Sequence, residues 1–301
     1  MKSRILVKIN LRPLVAGLIA ATLVAGCTSA GGGGASVPNG SGVPAASASA
    51  EGSGVPQPSG FYLRAWQSQA LAPQYTFGKL PQATIANGIF INGLVAIPMI
   101  YPGPIYVALQ SRPISVAGIN AVVAEARADG LLAGSPEFGA ALPGGVVAHI
   151  EIVVDGVTHE LSGSLPGGPA PASATPGTAE AFAAFWDKIT ALEAWLPAAF
   201  GQSSPYVPSS VAVMLTTPTA EPTGINAQVV TWPLKGTFAT FGSPMGGAAM
   251  RCGTVSGSEL TELLPALQSA NALTRFTDTT GATMSASARV LVPGEAGPCA
   301  S

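Results

Sequence analysis

Apolar and polar positions alternate with period two in several short stretches of this chain, and recur at three- and four-residue spacing in a few longer ones. The clearest alternation is VVAHIEIVV-DG-VTHELSG, residues 146–163. With Asp155-Gly156 as a two-residue turn, Val154 pairs with Val157, Ile152 with His159 and Ile150 with Leu161, which makes one face apolar. The other face carries Val153/Thr158, Glu151/Glu160 and His149/Ser162. Directly opposed glutamates repel, so that face is predicted to be solvated. A second hairpin is predicted over 83–91, where Asn87-Gly88 supplies the positive φ angles of a type I′ turn. Further strands are predicted at Phe61–Trp66, Ile105–Gln110, Val211–Thr216, Gln228–Trp232 and Thr283–Val292.

Helical spacing is clearest in three places. Ile119, Val122, Val123 and Ala126 form a stripe between Ser115, an expected N-cap, and Gly130, an expected left-handed terminator. A second stripe, Phe182, Phe185, Trp186, Ile189, Leu192 and Leu196, predicts a helix from Thr178 to Leu196, stopped by Pro197. A third, Leu260, Leu263, Leu264 and Leu267, predicts a helix from Ser256 to Ala270. When Ser115 is aligned on Ser256, both helices open on an expected Ser cap, the first and third stripes coincide and Gly130 falls on Asn271, where the left-handed conformation is again expected. The expected fold is α+β: a mainly antiparallel sheet with about three helices packed on one side and one disulfide. A single compact unit is favoured, with two diverged similar halves as the alternative.

Composition narrows the function classes. Charged residues are 9% of the 301, the net charge is −2, and no basic patch is available to neutralise phosphates, which argues against nucleic acid as a partner. The 37 Gly and 27 Pro fit a loop-rich, β-containing fold.

The N-terminus reads differently from the rest. Lys2, Arg4, Lys8 and Arg12 precede an uncharged run, Pro13–Gly26, that falls short of the roughly 20 residues needed to span a bilayer. A basic segment followed by such a run is the pattern of a secretory signal peptide, residues 1–26. Val24-Ala25-Gly26-Cys27 resembles the lipobox of bacterial lipoproteins. The resemblance implies cleavage before Cys27, a diacylglyceryl group on its thiol, and a place at the extracytoplasmic face of a cell membrane. Thr28 is not the Asp that often retains such proteins at the inner membrane, so inner and outer membranes both stay open. Residues 27–59 then comprise the lipidated Cys and a Gly/Ser/Ala/Pro tether that cannot bury enough apolar surface to order itself. Its root-mean-square reach is ~30 Å. Residues 60–301 are left as one globular domain.

With Cys27 lipidated, Cys252 and Cys299 remain, and in an oxidising compartment they are expected to pair. The competing readings are two reduced thiols or a metal pair, and no His lies near either in sequence. The stretches FYLRAWQSQALAPQYTFGKLP, AWLPAAF, RCGTVSG and VPGEAGPC are similar to those of an uncharacterised group of secreted bacterial lipoproteins. That resemblance implies a coherent domain and a late Cys pair; it brings no activity, cofactor or catalytic residue.

Candidate chemistry is sparse. No zinc-protease, nucleophile-elbow, Walker or dinucleotide motif occurs. His159 falls on the hairpin's apolar face. His149 falls beside Glu151 and Glu160, a trio able in principle to hold a metal, but alternate strand residues make only a shallow cluster, so no metal or cofactor is assigned. The segment 97–106 interleaves prolines with Ile100, Tyr101 and Tyr106 and is a candidate recognition loop. Two function classes follow: a non-catalytic envelope module binding a protein, polymer or small molecule, or an envelope hydrolase using His149 or His159.

Overall fold

A computed structural model describes residues 60–69, 77–93, 101–133, 136–139, 145–165, 174–220, 226–246 and 250–299. These lie within one compact unit, Glu51–Ser301. Residues 1–59, which hold the expected signal peptide, Cys27 and the expected tether, fall outside the described residues.

Two sheets, each backed by its own helices, make up the α+β architecture. The first contains β1 (Tyr62–Ser68), β2 (Ala83–Ala86), β3 (Ile89–Asn92), β4 (Gln110–Pro113), β5 (Glu137–Phe138), β6 (Val147–Val154), β7 (Val157–Ser164) and β8 (Ser204–Pro205). Its order is β5-β7-β6-β1-β2-β3-β4-β8. The second contains β9 (Ser210–Thr216), β10 (Val229–Thr231), β11 (Ser243–Pro244), β12 (Met250–Ser256), β13 (Arg275–Thr277) and β14 (Thr283–Val290), in the order β10-β13-β14-β9-β12-β11. Pairing is antiparallel except at β5–β7 and β10–β13. The helices are α1 (Val116–Ala128), α2 (Ala179–Thr190), the single turn α3 (Leu192–Trp195) and α4 (Gly257–Ser269).

Both hairpins have the predicted register. Ile152 pairs with His159 and Ile150 with Leu161, while Asp155 at φ 53° and Gly156 at 76° form the turn. Asn87 and Gly88 form the other, at φ 53° and 71°. The inward residues of β1, β2, β6 and β7 bury against the stripes of α1 and α2, giving a core of Leu63, Ile85, Ile150, Ile152, Val122 and Phe182 among others. A second core joins Val211, Val213 and Leu215 of β9 to Leu260, Leu263 and Leu267 of α4. Ala212 and Met214, on the opposite face of β9, pack with Phe77, Cys252 and Leu291.

Several expectations are corrected. The strand expected over Ile105–Gln110 begins only at Gln110. Ile105, Tyr106 and Leu109 instead fill the second core while the chain crosses towards the first sheet. The long second helix breaks at Ala191 into α2 and α3. Asn271 is not left-handed: Asn87 and Asp155 are the non-glycine residues with positive φ among those described. Its side chain accepts a hydrogen bond from Leu273 N at 2.9 Å, which ends α4 by a side-chain turn. The two sheets share a strand pair, an amphipathic helix and a later hairpin, but the helix of the second lacks a side-chain cap and the hairpins enter differently. In the first sheet the leading strand, β6, joins β1; in the second the trailing strand, β14, joins β9.

Candidate functional site

The outer face of the first sheet holds the densest polar cluster. Alternation along β1 puts Tyr62, Arg64, Trp66 and Ser68 on that face, and pairing with β6 sets Trp66 opposite His149 and Arg64 opposite Glu151. The Trp66 and His149 rings stack, with centroids 5.1 Å apart and planes 12° from parallel. The Arg64 guanidinium lies 4.4 Å from the Trp66 ring centre and donates through Nη2 to Glu151 Oε2 at 2.8 Å. Glu151 therefore turns to Arg64, and the face expected to be solvated is half-buried and partly neutralised. Ser68 Oγ is 2.7 Å from His149 Nε2. Burial of the imidazole lowers its pKa below the usual 6.5 and so favours the neutral ring.

The C-terminal segment, residues 292–299, faces this cluster. The Tyr62 hydroxyl donates to Pro293 O at 2.9 Å, and burial pushes its pKa up to about 12. Arg64 Nη1 donates to Gly294 O at 3.3 Å. Arg289 and Glu295 form an ion pair in which each side chain is only 10% exposed. Burial lowers the Arg289 pKa; Glu295 opposes that shift and nearby Arg64 adds to it. A disulfide joins Cys252 to Cys299 and fastens the end of the segment to β12.

Between β1 and this segment lies a cleft of about 490 Å³, lined by Arg64, Trp66, Ser68, Lys79, Arg289 and Pro298 among others. Three buried polar atoms beside it have no hydrogen-bond partner: Arg64 Nε, Arg289 Nε and Thr84 Oγ1. Thr84 sits opposite Arg64 across β1 and β2. A larger cavity of about 720 Å³ runs along β14; Arg289, shared with the cleft, is its one charged wall residue among those described. The cleft, with its clustered cations, carries more chemistry.

The candidates read from sequence scatter. Cys252 and Cys299 are bridged. Cys27 and Ile100 lie outside the described residues. Tyr101 is 66% exposed, whereas Tyr106 is 7% exposed and packs in the second core, so the structure does not bring the two tyrosines to one surface. His149 meets a serine; His159 stands half-buried on β7, opposite Ile152. Among the described residues no three of His, Cys, Asp and Glu gather to hold a metal, and no helix is long and apolar enough to cross a membrane. Arg64, Ser68, Lys79, Arg289 and Glu295 were not among the candidates read from sequence. The alternation of β1 was a usable signal for the first two, but nothing local joins them to residues beyond 288.

No family model, no curated protein and no solved structure matches this chain.

Proposed function

We propose that the protein is a lipid-anchored, extracytoplasmic binding module whose ligand is a small molecule held in the cleft between β1 and residues 292–299. The observation that carries this reading is the cleft itself. Its volume of about 490 Å³ falls within the range of small-molecule sites. Its walls come from opposite ends of the domain and are fixed before any ligand arrives, by a disulfide, an ion pair and two hydrogen bonds. Such preorganisation lowers the ordering cost of binding. The anchor rests on the basic and apolar N-terminal pattern ending in Cys27. An oxidising compartment fits the Cys252–Cys299 bridge.

The test is capture of small molecules from a cell-envelope extract by the full chain, identified by mass after denaturation. A compound retained by the native chain and lost with Trp66→Ala supports the reading. Retention of no small molecule, or of the same compounds by both chains, contradicts it.

A second reading, an envelope hydrolase, is favoured by one contact, Ser68 Oγ to His149 Nε2 at 2.7 Å. In that reading Ser68 attacks an acyl carbonyl, its proton passes to His149 Nε2, and the leaving group departs with that proton before water releases the acyl group. A fluorophosphonate that labels Ser68 in the native chain but not in His149→Gln would favour it. An unlabelled Ser68 would remove it.

A further inference from the structure

We propose that the ligand of this cleft is a small organic acid, held through a carboxylate or phosphate group by Arg64, Arg289 and Lys79; this rests on the cleft being the binding site. The chain has 13 cations and a net charge of −2, with four of those cations ahead of Pro13. Three of the others meet in this one concavity, against a single lining carboxylate, Glu295. Cations collected in a concave, partly desolvated site raise the local concentration of anions.

The state of each cation fits the same occupant. Arg64 spends its terminal nitrogens on Glu151 and Gly294, and Arg289 spends its own on Glu295 and Phe77. The Nε–H of each is buried with no partner and is not itself open to the cleft, so a ligand there is met by the terminal nitrogens. Both guanidiniums line the cleft, one from β1 and one from β14, and the charge of Arg64 disfavours that of Arg289. An oxyanion in the cleft accepts from the second N–H that each terminal guanidinium nitrogen carries, for which carboxylate and phosphate have the right geometry. Lys79 is exposed at the rim and reaches only Gln69 Oε1, at 3.5 Å, among the described residues. It is free to close on an incoming anion as a mobile point charge. Trp66 offers an apolar wall to the carbon part of the acid. Arg64 and Arg289 each face a carboxylate already, Glu151 and Glu295, which leaves Lys79 as the cleft cation with no carboxylate partner among the described residues.

The oxyanion has two possible sources, a soluble acid and the headgroup of an anionic lipid. The concave, pre-walled shape favours the soluble one. The test uses the full chain carrying Cys27→Ala in neutral detergent, titrated with citrate, inorganic phosphate, glucose and phosphatidylglycerol vesicles. The readout is the part of the tryptophan emission that disappears in Trp66→Phe. Citrate or phosphate should change that emission saturably, and Lys79→Ala should weaken the response about tenfold or more, as expected for loss of a charged contact. Lys79 is exposed, so this replacement leaves the fold intact. Saturation by glucose but by neither acid would overturn the acid while keeping the cleft. Binding only to vesicles would overturn the soluble source. An acid response indifferent to Lys79→Ala would overturn the assigned cations. Silence towards all four probes, together with no compound captured from extract, would overturn the cleft reading as well.

Discussion

Gly294 stands at φ 76° beside the Tyr62 ring, and a Cβ there would lie 2.5 Å from the tyrosine oxygen. Gly294→Ala is therefore expected to cost at least about 1–2 kcal/mol, the ordinary penalty for an L-residue in the left-handed region, and to displace the cleft wall. Urea unfolding reads the first effect and ligand affinity the second; an unchanged midpoint would show that the wall simply yields. His149 gives a pH prediction at the same scale. Its pKa is lowered in the folded chain by burial, so between that value and 6.5 the unfolded chain binds more protons. Stability should rise with pH across this window and be lost as pH falls through it, levelling off below the folded pKa. His149→Gln should flatten that portion of a thermal-midpoint profile; an identical profile would place the acid sensitivity elsewhere.

The elements show what was legible in the sequence and what was not. Hairpins and helices were, because turn residues and apolar stripes act within a few positions of each other. Asn87-Gly88 and Asp155-Gly156 fixed both registers, and the stripe of α1 lies wholly in the core. The caps were only half legible. Ser115 Oγ accepts from Gly118 N at 3.2 Å, as an N-cap should. Ser256 makes no such bond, because the chain enters α4 through Gly257 at φ 59°. Ser115→Ala should thus cost about 1 kcal/mol, whereas Ser256→Ala should cost almost nothing in the same urea experiment. Equal losses would contradict this difference. The strand expected at Ile105–Gln110 failed because an apolar run can serve equally as a buried crossing, and nothing in its own pattern separates the two. The cleft was not legible at all. Arg64 meets Gly294 across 230 positions, and the two helices that look alike in sequence feed hairpins into their sheets in opposite orders.

At the scale of the whole molecule, the disulfide ties the C-terminal wall to the second sheet while Tyr62 and Arg64 tie it to the first. The bridge closes a loop of sequence separation 47, worth about 4 kcal/mol on the chain-entropy account. Replacing both cysteines by serine should lower stability by up to about that amount. It should also speed amide exchange in 292–299 while leaving the β6–β7 hairpin protected. Equal protection in both forms would mean that the ion pair and hydrogen bonds hold the wall unaided. The proposed export would lock that wall outside the cytoplasm, and the proposed anchor would keep it at the membrane. The most direct test is the non-reduced peptide mass map of the protein isolated from membranes. An N-terminal peptide beginning at acylated Cys27 is expected, together with a cross-linked Cys252–Cys299 peptide. An unacylated Cys27, or free thiols at 252 and 299, would contradict it.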